Sequence, residues 1–221
     1  SRAPRTVGRG TSDLNLIAVF VDLGDFGGPP GVLYPWTMTG SRDMEPEELI
    51  AYEAGYRTHL TNDLTLDSSL YFNDYTNLLN IDPDTYNFTN DFGGQILGSE
   101  LNLTWQPANT FKLEAGYSYA HTNINGRSFS TLNFNQAYPN NQFHLRSYLD
   151  IGRDLELNSA LYYVDNVPTY NAESYIRLDV GLTWRLNEQM QISLWGQNLL
   201  DPKHLELRED ELNQFNGEVP R

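Results

Sequence analysis

Apolar residues recur at every second position along most of this chain, far more often than at a helical spacing, so the pattern predicts strands. The clearest run sets Ile176, Leu178, Val180, Leu182, Trp184 and Leu186 on one side and Arg177, Asp179, Gly181, Thr183 and Arg185 on the other. Met190, Ile192 and Leu194 alternate with Gln191, Ser193 and Trp195, and Leu97, Ser99, Leu101, Leu103 and Trp105 with Gly98, Glu100, Asn102 and Thr104. Phe111, Leu113, Ala115, Tyr117 and Tyr119 face away from Lys112, Glu114, Gly116 and Ser118. The same rule separates Phe143, Leu145, Ser147, Leu149 and Ile151 from His144, Arg146, Tyr148 and Asp150. It also separates Leu155, Leu157, Ser159, Leu161 and Tyr163 from Glu156, Asn158, Ala160 and Tyr162, and Leu64, Leu66, Ser68, Leu70 and Phe72 from Thr65, Asp67, Ser69, Tyr71 and Asn73. One stretch reads two ways. Pro46 ahead of Glu47, Glu48 and Leu49 suits a helix start with an acidic first turn. Ile50, Tyr52, Ala54, Tyr56, Thr58 and Leu60 nevertheless alternate cleanly with Glu53, Gly55, Arg57 and His59.

The connections between these eight strands alternate in length. Thr61 to Asp63, Gln106 to Thr110, Gly152 to Asp154 and Asn187 to Gln189 are tight, whereas Leu78 to Asp91, His121 to Asn141 and Asp165 to Glu173 are long. Asp22 to Met44 precedes the first strand and Asp201 to Arg221 follows the last. The expected fold class is therefore all-β, an antiparallel up-and-down sheet of the outer-membrane kind, with short periplasmic turns and long extracellular loops. Trp105 and Trp184, each just before a tight turn on the apolar side, stand where an interfacial aromatic girdle belongs. A soluble sandwich or closed barrel alternates in the same way with its apolar face inward, and periodicity alone does not say which face is which.

Composition narrows the alternatives. Mean hydropathy is −0.51, and the longest apolar run, Leu16 to Val21, is far short of the roughly 20 residues a membrane-spanning helix needs. A membrane-spanning strand needs only about 9–11 residues, alternately apolar, so a barrel remains open. Fourteen Tyr, ten Phe, four Trp and 22 Asn in 221 residues suit strands joined by turns. A formal charge of −15, from 29 acidic and 14 basic residues without basic clusters, argues against a nucleic-acid partner. The lack of cysteine removes disulfides, zinc-thiolate sites and thiol nucleophiles together. No apolar signal-peptide core is visible in SRAPRTVGRG.

Motifs for chemistry are sparse. GGQILGSE over 93–100 has phosphate-loop glycine spacing, but Glu100 follows Ser99 where Lys and then Ser or Thr are needed. His59, His121, His144 and His204 are scattered, and no metal site is expected from them. Asp82 and Asp84 imitate the start of a calcium loop without its glycine or closing Glu, which points to a turn around Pro83. With no GxSxG or HExxH present, no enzyme, catalytic residue or cofactor is expected.

Four stretches carry a family resemblance: SRAPRTVGRG is similar to an SRAxRTPSR segment, and EPEELIAYEAGYR to a PEExxAYExGYR strand. GSELNLTWQPANTFKLEAGYSY is similar to a GxExxxxWxPxxxxxLxAGYSY hairpin, and RLDVGLTWRLNEQMQISLWGQNLLDPKHLE to a late hairpin ending in GQNLLD. Together they identify the chain as resembling the C-terminal part of a TonB-dependent outer-membrane receptor barrel, and the second decides the 45–60 stretch for a strand. The resemblance implies that residues 1–221 are a fragment, a partial barrel of about eight or nine strands, lacking both the plug domain and the final strand that ends such proteins. It further implies import of a scarce nutrient such as a ferric siderophore, with outer-membrane lipid, the plug, the remaining strands and the TonB complex as partners. A passive porin or structural barrel, and a soluble binding domain, are the other readings.

If the apolar face meets lipid, Glu53, Arg57, Glu100, Lys112, Glu114, His144, Arg146, Arg177, Asp179 and Arg185 must line the lumen, because Arg or Lys facing lipid at the midplane costs roughly 2–4 kcal/mol. Their expected role is a cross-strand charge ladder that also meets the plug. For ligand capture, the loop aromatics Tyr34, Trp36, Tyr86, Phe88, Phe129 and Tyr138 are the candidates.

Overall fold

The computed structural model describes residues 44–82, 84–85, 87–126 and 133–200 with their side chains, and the backbone of 17–22, 33–38, 203–207 and 217–220. The elements in chain order are β1 (Ile17–Asp22), β2 (Leu33–Met38), β3 (Glu48–His59), β4 (Leu64–Ile81), β5 (Phe88–Ala108), β6 (Phe111–Asn125), β7 (Asn141–Ile151), β8 (Leu155–Val164), β9 (Tyr175–Asn187), β10 (Met190–Gly196), β11 (Lys203–Leu207) and β12 (Gly217–Pro220). β3 to β10 form one sheet in strict sequential order, with β3 and β10 outermost, while β1–β2 and β11–β12 are separate two-stranded sheets. Sequential order is what short turns impose, since each turn leaves the next strand nowhere to pair but beside its predecessor. The 45–60 stretch is a strand, as its alternation and its resemblance indicate.

The tight turns are where they were expected. The Leu60 N–H donates to the Leu64 carbonyl at 2.8 Å. Gly152, at φ +69, supplies the left-handed residue of the β7–β8 turn, where a β-carbon would have open space around it but a strained backbone. The Gln189 N–H donates to Asn187 Oδ1 at 2.9 Å and folds the β9–β10 turn.

The long connections are shorter than the pattern suggests. β4 runs on to Ile81 and β5 begins at Phe88, so the expected loop 78–91 is mostly strand. Asp82 makes the reversal local: its Oδ1 accepts the Asp84 N–H at 3.0 Å, the Thr85 N–H at 2.7 Å and the Thr85 hydroxyl at 2.8 Å. β6 likewise continues to Asn125, and the 165–173 connection holds a 3₁₀ turn at Pro168–Tyr170. Strand also occupies part of the segments flanking the eight: β2 lies inside 22–44, and β11 and β12 lie after Asp201. β1 and β2 are short β-branched and aromatic runs, IAVFVD and LYPWTM, whose register pairs Ile17 with Met38 and Asp22 with Leu33.

The residues group into two compact units, one of Ser1–Tyr52, Phe72–Ile96 and Thr122–Asn135, the other of Glu53–Tyr71, Leu97–His121 and Gln136–Arg221. In the first, Asn77 Nδ2 donates to Glu45 at 3.0 Å, the Leu79 N–H to Glu47 at 3.1 Å and Asn80 Nδ2 to Asp91 at 3.2 Å. Asn135 both accepts the Ile124 N–H at 2.6 Å and donates to the Ile124 carbonyl at 3.2 Å, which gives an irregular segment the ladder bonds of a strand.

The second unit sorts its residues onto two faces. Register places Phe111, Leu149, Leu157, Leu182 and Leu194 in one row across five strands. This apolar face is the exposed one: Leu182, Trp184 and Leu194 stand 41%, 51% and 73% accessible. On the opposite face of β9, Asp179 and Thr183 are only 9% and 8% accessible. The buried apolar residues of the described chain are Phe92, Ala137, Val167 and Ala172, none of them on the alternating apolar face of this sheet. Ser147 and Ser159, paired on the apolar face, satisfy each other through a 2.7 Å hydroxyl bond, as polar groups must where water is absent.

Candidate functional site

The polar face of the second unit brings most of the expected charges together, in rows set by register. One row holds Gly116, His144, Tyr162 and Arg177; the next holds Glu114, Arg146, Ala160 and Asp179; a third holds Lys112, Tyr148, Asn158, Gly181 and Trp195. Small residues alternate with large ones, and the large side chains lie across the small ones. A β-carbon on Gly116 would fall 2.2 Å from His144 Cε1, and one on Gly181 would fall 2.6 Å from the Trp195 ring. Gly98 holds the same relation to Tyr71. Each glycine is thus the seat of a neighbouring ring.

The expected cross-strand charge ladder is only half cross-strand. Arg57 on β3 pairs with Asp67 on β4, its Nε at 2.6 Å, and Arg185 on β9 pairs with Glu156 on β8. Lys112 and Glu114, at 2.6 Å, and Arg177 and Asp179, at 2.9 and 2.7 Å, instead pair along a single strand, two residues apart on one face. Asp179 also accepts the backbone N–H of Asn198 at 2.9 Å, so this buried carboxylate ties three polar groups into one network. Tyrosines fill the gaps between the cations: Lys112 Nζ lies 5.3 Å from the Tyr148 ring centre, and Arg146 and Arg177 approach the Tyr162 ring at 5.6 and 5.8 Å.

Above these rows is a recess of about 280 Å³ lined by Glu100, Asn102, Ser118, Gln142, His144 and Tyr162 among others. Its lining is one carboxylate, two amides, two hydroxyls and an imidazole, which suits hydrogen-bonded recognition rather than bond chemistry. Glu53 is exposed on β3. Among the described residues no three His, Asp or Glu side chains gather as a metal site.

The aromatic candidates separate. Phe88 opens β5 and is half-buried, in a strand rather than a loop, and Tyr138 is exposed beside the 3₁₀ turn Phe134–Gln136. Tyr34 and Trp36 lie on β2, so they too belong to a strand; Tyr86 and Phe129 lie outside the described residues. Alternation alone does not single out Asp67, Glu156, Tyr162 or Asn198. The first three stand on polar positions of their strands, and only the register, known once the strands are paired, makes them partners.

Outside the strands, Asp63 anchors the β3–β4 turn. It accepts the Thr61 hydroxyl at 2.5 Å and the Trp105 indole N–H at 2.9 Å, and these bonds hold its carboxyl below the usual range. Trp105 thereby keeps an apolar body on the exposed face and a polar tip at the turn.

The family model described as TonB dependent receptor-like, beta-barrel matches residues 2–199. No curated protein matches the sequence. Among solved structures, the chain is similar to the ferric-catecholate import receptor Fiu of Escherichia coli K12, at 18% identity and TM-score 0.64, over 80% of this chain and 27% of that one. It is similar to the siderophore receptor PiuA of Acinetobacter baumannii at 21% identity and TM-score 0.64, over 79% and 27%. It also resembles the ferripyoverdine receptor of the outer membrane of Pseudomonas aeruginosa, at 16% identity and TM-score 0.63, over 80% and 26%. The chain thus spans about a quarter of each of these structures, and the likeness is one of fold. With a family model matched over nearly its whole length and an eight-stranded sequential sheet to go with it, the chain belongs to the TonB-dependent receptor β-barrel family.

Proposed function

We propose that this chain is a section of the barrel wall of an outer-membrane receptor that imports a ferric siderophore or a similarly scarce chelate, energised through the TonB system. The observation that carries the reading is the inverted sheet. Leucines and tryptophans form the exposed face, while Asp179, Thr183 and the ion-paired rows occupy the opposite one. In water this arrangement would leave a large apolar surface uncovered; in a bilayer the apolar face meets acyl chains and the charges line the lumen. Strands of 21 and 18 residues, β5 and β4, exceed the about 9–11 needed to cross and so extend beyond the membrane. The resemblance to receptors named for ferric catecholates and ferripyoverdine supports the substrate class.

On this reading Glu53, Arg57, Glu100, Lys112, Glu114, His144, Arg146, Arg177, Asp179 and Arg185 face the lumen, and residues 1–221 form the C-terminal portion of the barrel. The open sides of β3 and β10 receive the remaining strands, since lipid offers their unpaired N–H and C=O groups no partner. The plug domain and TonB engage through the rest of the protein. Tyr138 and Phe88 are the described aromatics offered for ligand capture.

The sequence has no cysteine, so single-cysteine labelling reads the faces cleanly. In outer membranes carrying the whole receptor, Asn158→Cys should react with a charged maleimide and Leu182→Cys should not. Radioiron uptake from a ferric catecholate should disappear when either the receptor or TonB is deleted. Uptake that persists without TonB would establish a passive channel instead.

A further inference from the structure

We infer that Arg146 is the anchor for an acidic side chain of a polypeptide segment seated on the polar face of the sheet, outside residues 1–221. The inference rests on the reading above that this face is enclosed.

Arg146 differs from the other cations of its face. Lys112, Arg177 and Arg185 each have a carboxylate in contact, Glu114, Asp179 and Glu156. Among the described residues Arg146 has none, and its Nε is buried without a hydrogen-bond partner. The acid nearest in the register is Glu114, directly opposite on β6. Glu114 is already engaged by Lys112 at 2.6 Å and by the Tyr148 hydroxyl at 3.4 Å. On its other side Arg146 faces Ala160, whose methyl group offers no acceptor and leaves space above the guanidinium. The Tyr162 ring, 5.6 Å away, supports the cation but is shared with Arg177.

The kind of occupant follows from burial. A desolvated donor left unmatched is unfavourable for as long as it stays unmatched, so its acceptor must be resident rather than in transit. A planar guanidinium is best met by a carboxylate in the bidentate manner. A fixed Asp or Glu on a folded segment fulfils both conditions, whereas a diffusing anionic ligand would leave Arg146 unmatched between visits.

The experiment uses the whole receptor in outer membranes. Arg146→Lys keeps the charge and provides an amine that a water-soluble carbodiimide joins directly to any carboxylate in contact, and peptide mass spectrometry locates the bond. The Lys112–Glu114 contact supplies an internal control, since it too should lose one water in the folded sheet. The expected result is a cross-link from residue 146 to an Asp or Glu outside this chain, absent from Arg146→Gln. A Lys112–Glu114 link with residue 146 unlinked, or linked only to Glu114, would overturn the inference. Labelling of Asn158→Cys distinguishes the two possible failures: if it reacts while residue 146 finds no outside partner, the enclosed face stands and the anchor falls.

Discussion

The backbone N–H of Asn198 donates to Asp179 Oδ1 at 2.9 Å, holding a fully buried residue just beyond β10 against the middle of β9. Asn198 sits at φ +50, a left-handed conformation that Asn tolerates better than most residues. The adjacent Leu199 N–H donates to the Leu178 carbonyl at 2.9 Å. The QNLL segment is thus tied back onto the sheet rather than released, and Asp179 is the hinge of that tie because Arg177 holds its other oxygen.

Replacing Asp179 with Ala should therefore cost more than replacing an exposed acid. It strands the Arg177 guanidinium and the Asn198 N–H together, and losing one partner of a buried charged network costs about 3 kcal/mol. Asp67→Ala, which breaks the exposed pair with Arg57, should cost under about 1 kcal/mol. Urea unfolding midpoints of the refolded receptor compare the two, and equal shifts would contradict the network described here.

Gly116→Ala should force the His144 imidazole off its seat, because the new methyl would lie 2.2 Å from Cε1 and 2.8 Å from Asn102 Oδ1. Overpacking of this kind costs about 1–3 kcal/mol. His144→Ala introduced into the same background should recover most of that loss, giving a strongly non-additive cycle. Simple additivity would mean that the ring does not depend on the glycine.

The β3–β4 turn should show acid sensitivity through Asp63. Its folded pKa lies below the ordinary 3.8 because Thr61 and Trp105 hydrogen-bond the carboxylate. A depressed acid contributes stability that is full above its unfolded pKa and is lost as pH falls through the folded value. The gap in unfolding midpoint between the native receptor and Asp63→Asn should accordingly be constant at neutral pH and close below about pH 4. A gap that widens on acidification would reverse the sign of the effect.

How much of this was legible beforehand depends on the distance over which each feature is determined. Strand identity and face are local, and Ile176 to Leu186 announces both through alternation alone. The tight turns are local too, so the order of the sheet follows. Strand ends were less legible: the Leu78 to Asp91 segment contains Asn77, Asn80, Asp82 and Asn87 at or near its ends, residues that usually mark loops. Here Asn80 reaches across to Asp91 and Asp82 closes a tight turn, so the strands continue. The site was legible as a set of charges but not as pairs. Nothing in the sequence around Arg185 names Glu156, 29 residues earlier, until β8 and β9 are set in register. Nor does alternation distinguish Arg146, which lacks a carboxylate, from Arg177, which has one.

The assignment of faces is open to a direct energetic test at two positions. Leu182 lies in the aliphatic row running from Phe111 through Leu149 and Leu157 to Leu194, near the middle of β9 and exposed. Asn158 is on β8 in the neighbouring register pair, Asn158 with Gly181, and so stands at nearly the same depth on the opposite face. If lipid covers the leucines, Leu182→Arg places a guanidinium near the bilayer midplane and should destabilise folding into vesicles by about 2–4 kcal/mol. Asn158→Arg puts the same group into the lumen, where water and the Gly181 gap accommodate it, and should change stability by under about 1 kcal/mol. The contrast isolates the face from the chemistry, since both variants introduce the same side chain at matched depth. Equilibrium folding of the receptor into phosphatidylcholine vesicles under a urea gradient measures both. A larger penalty at residue 158 than at residue 182 would show that the apolar face packs against protein rather than lipid, and the barrel-wall reading would fall with it.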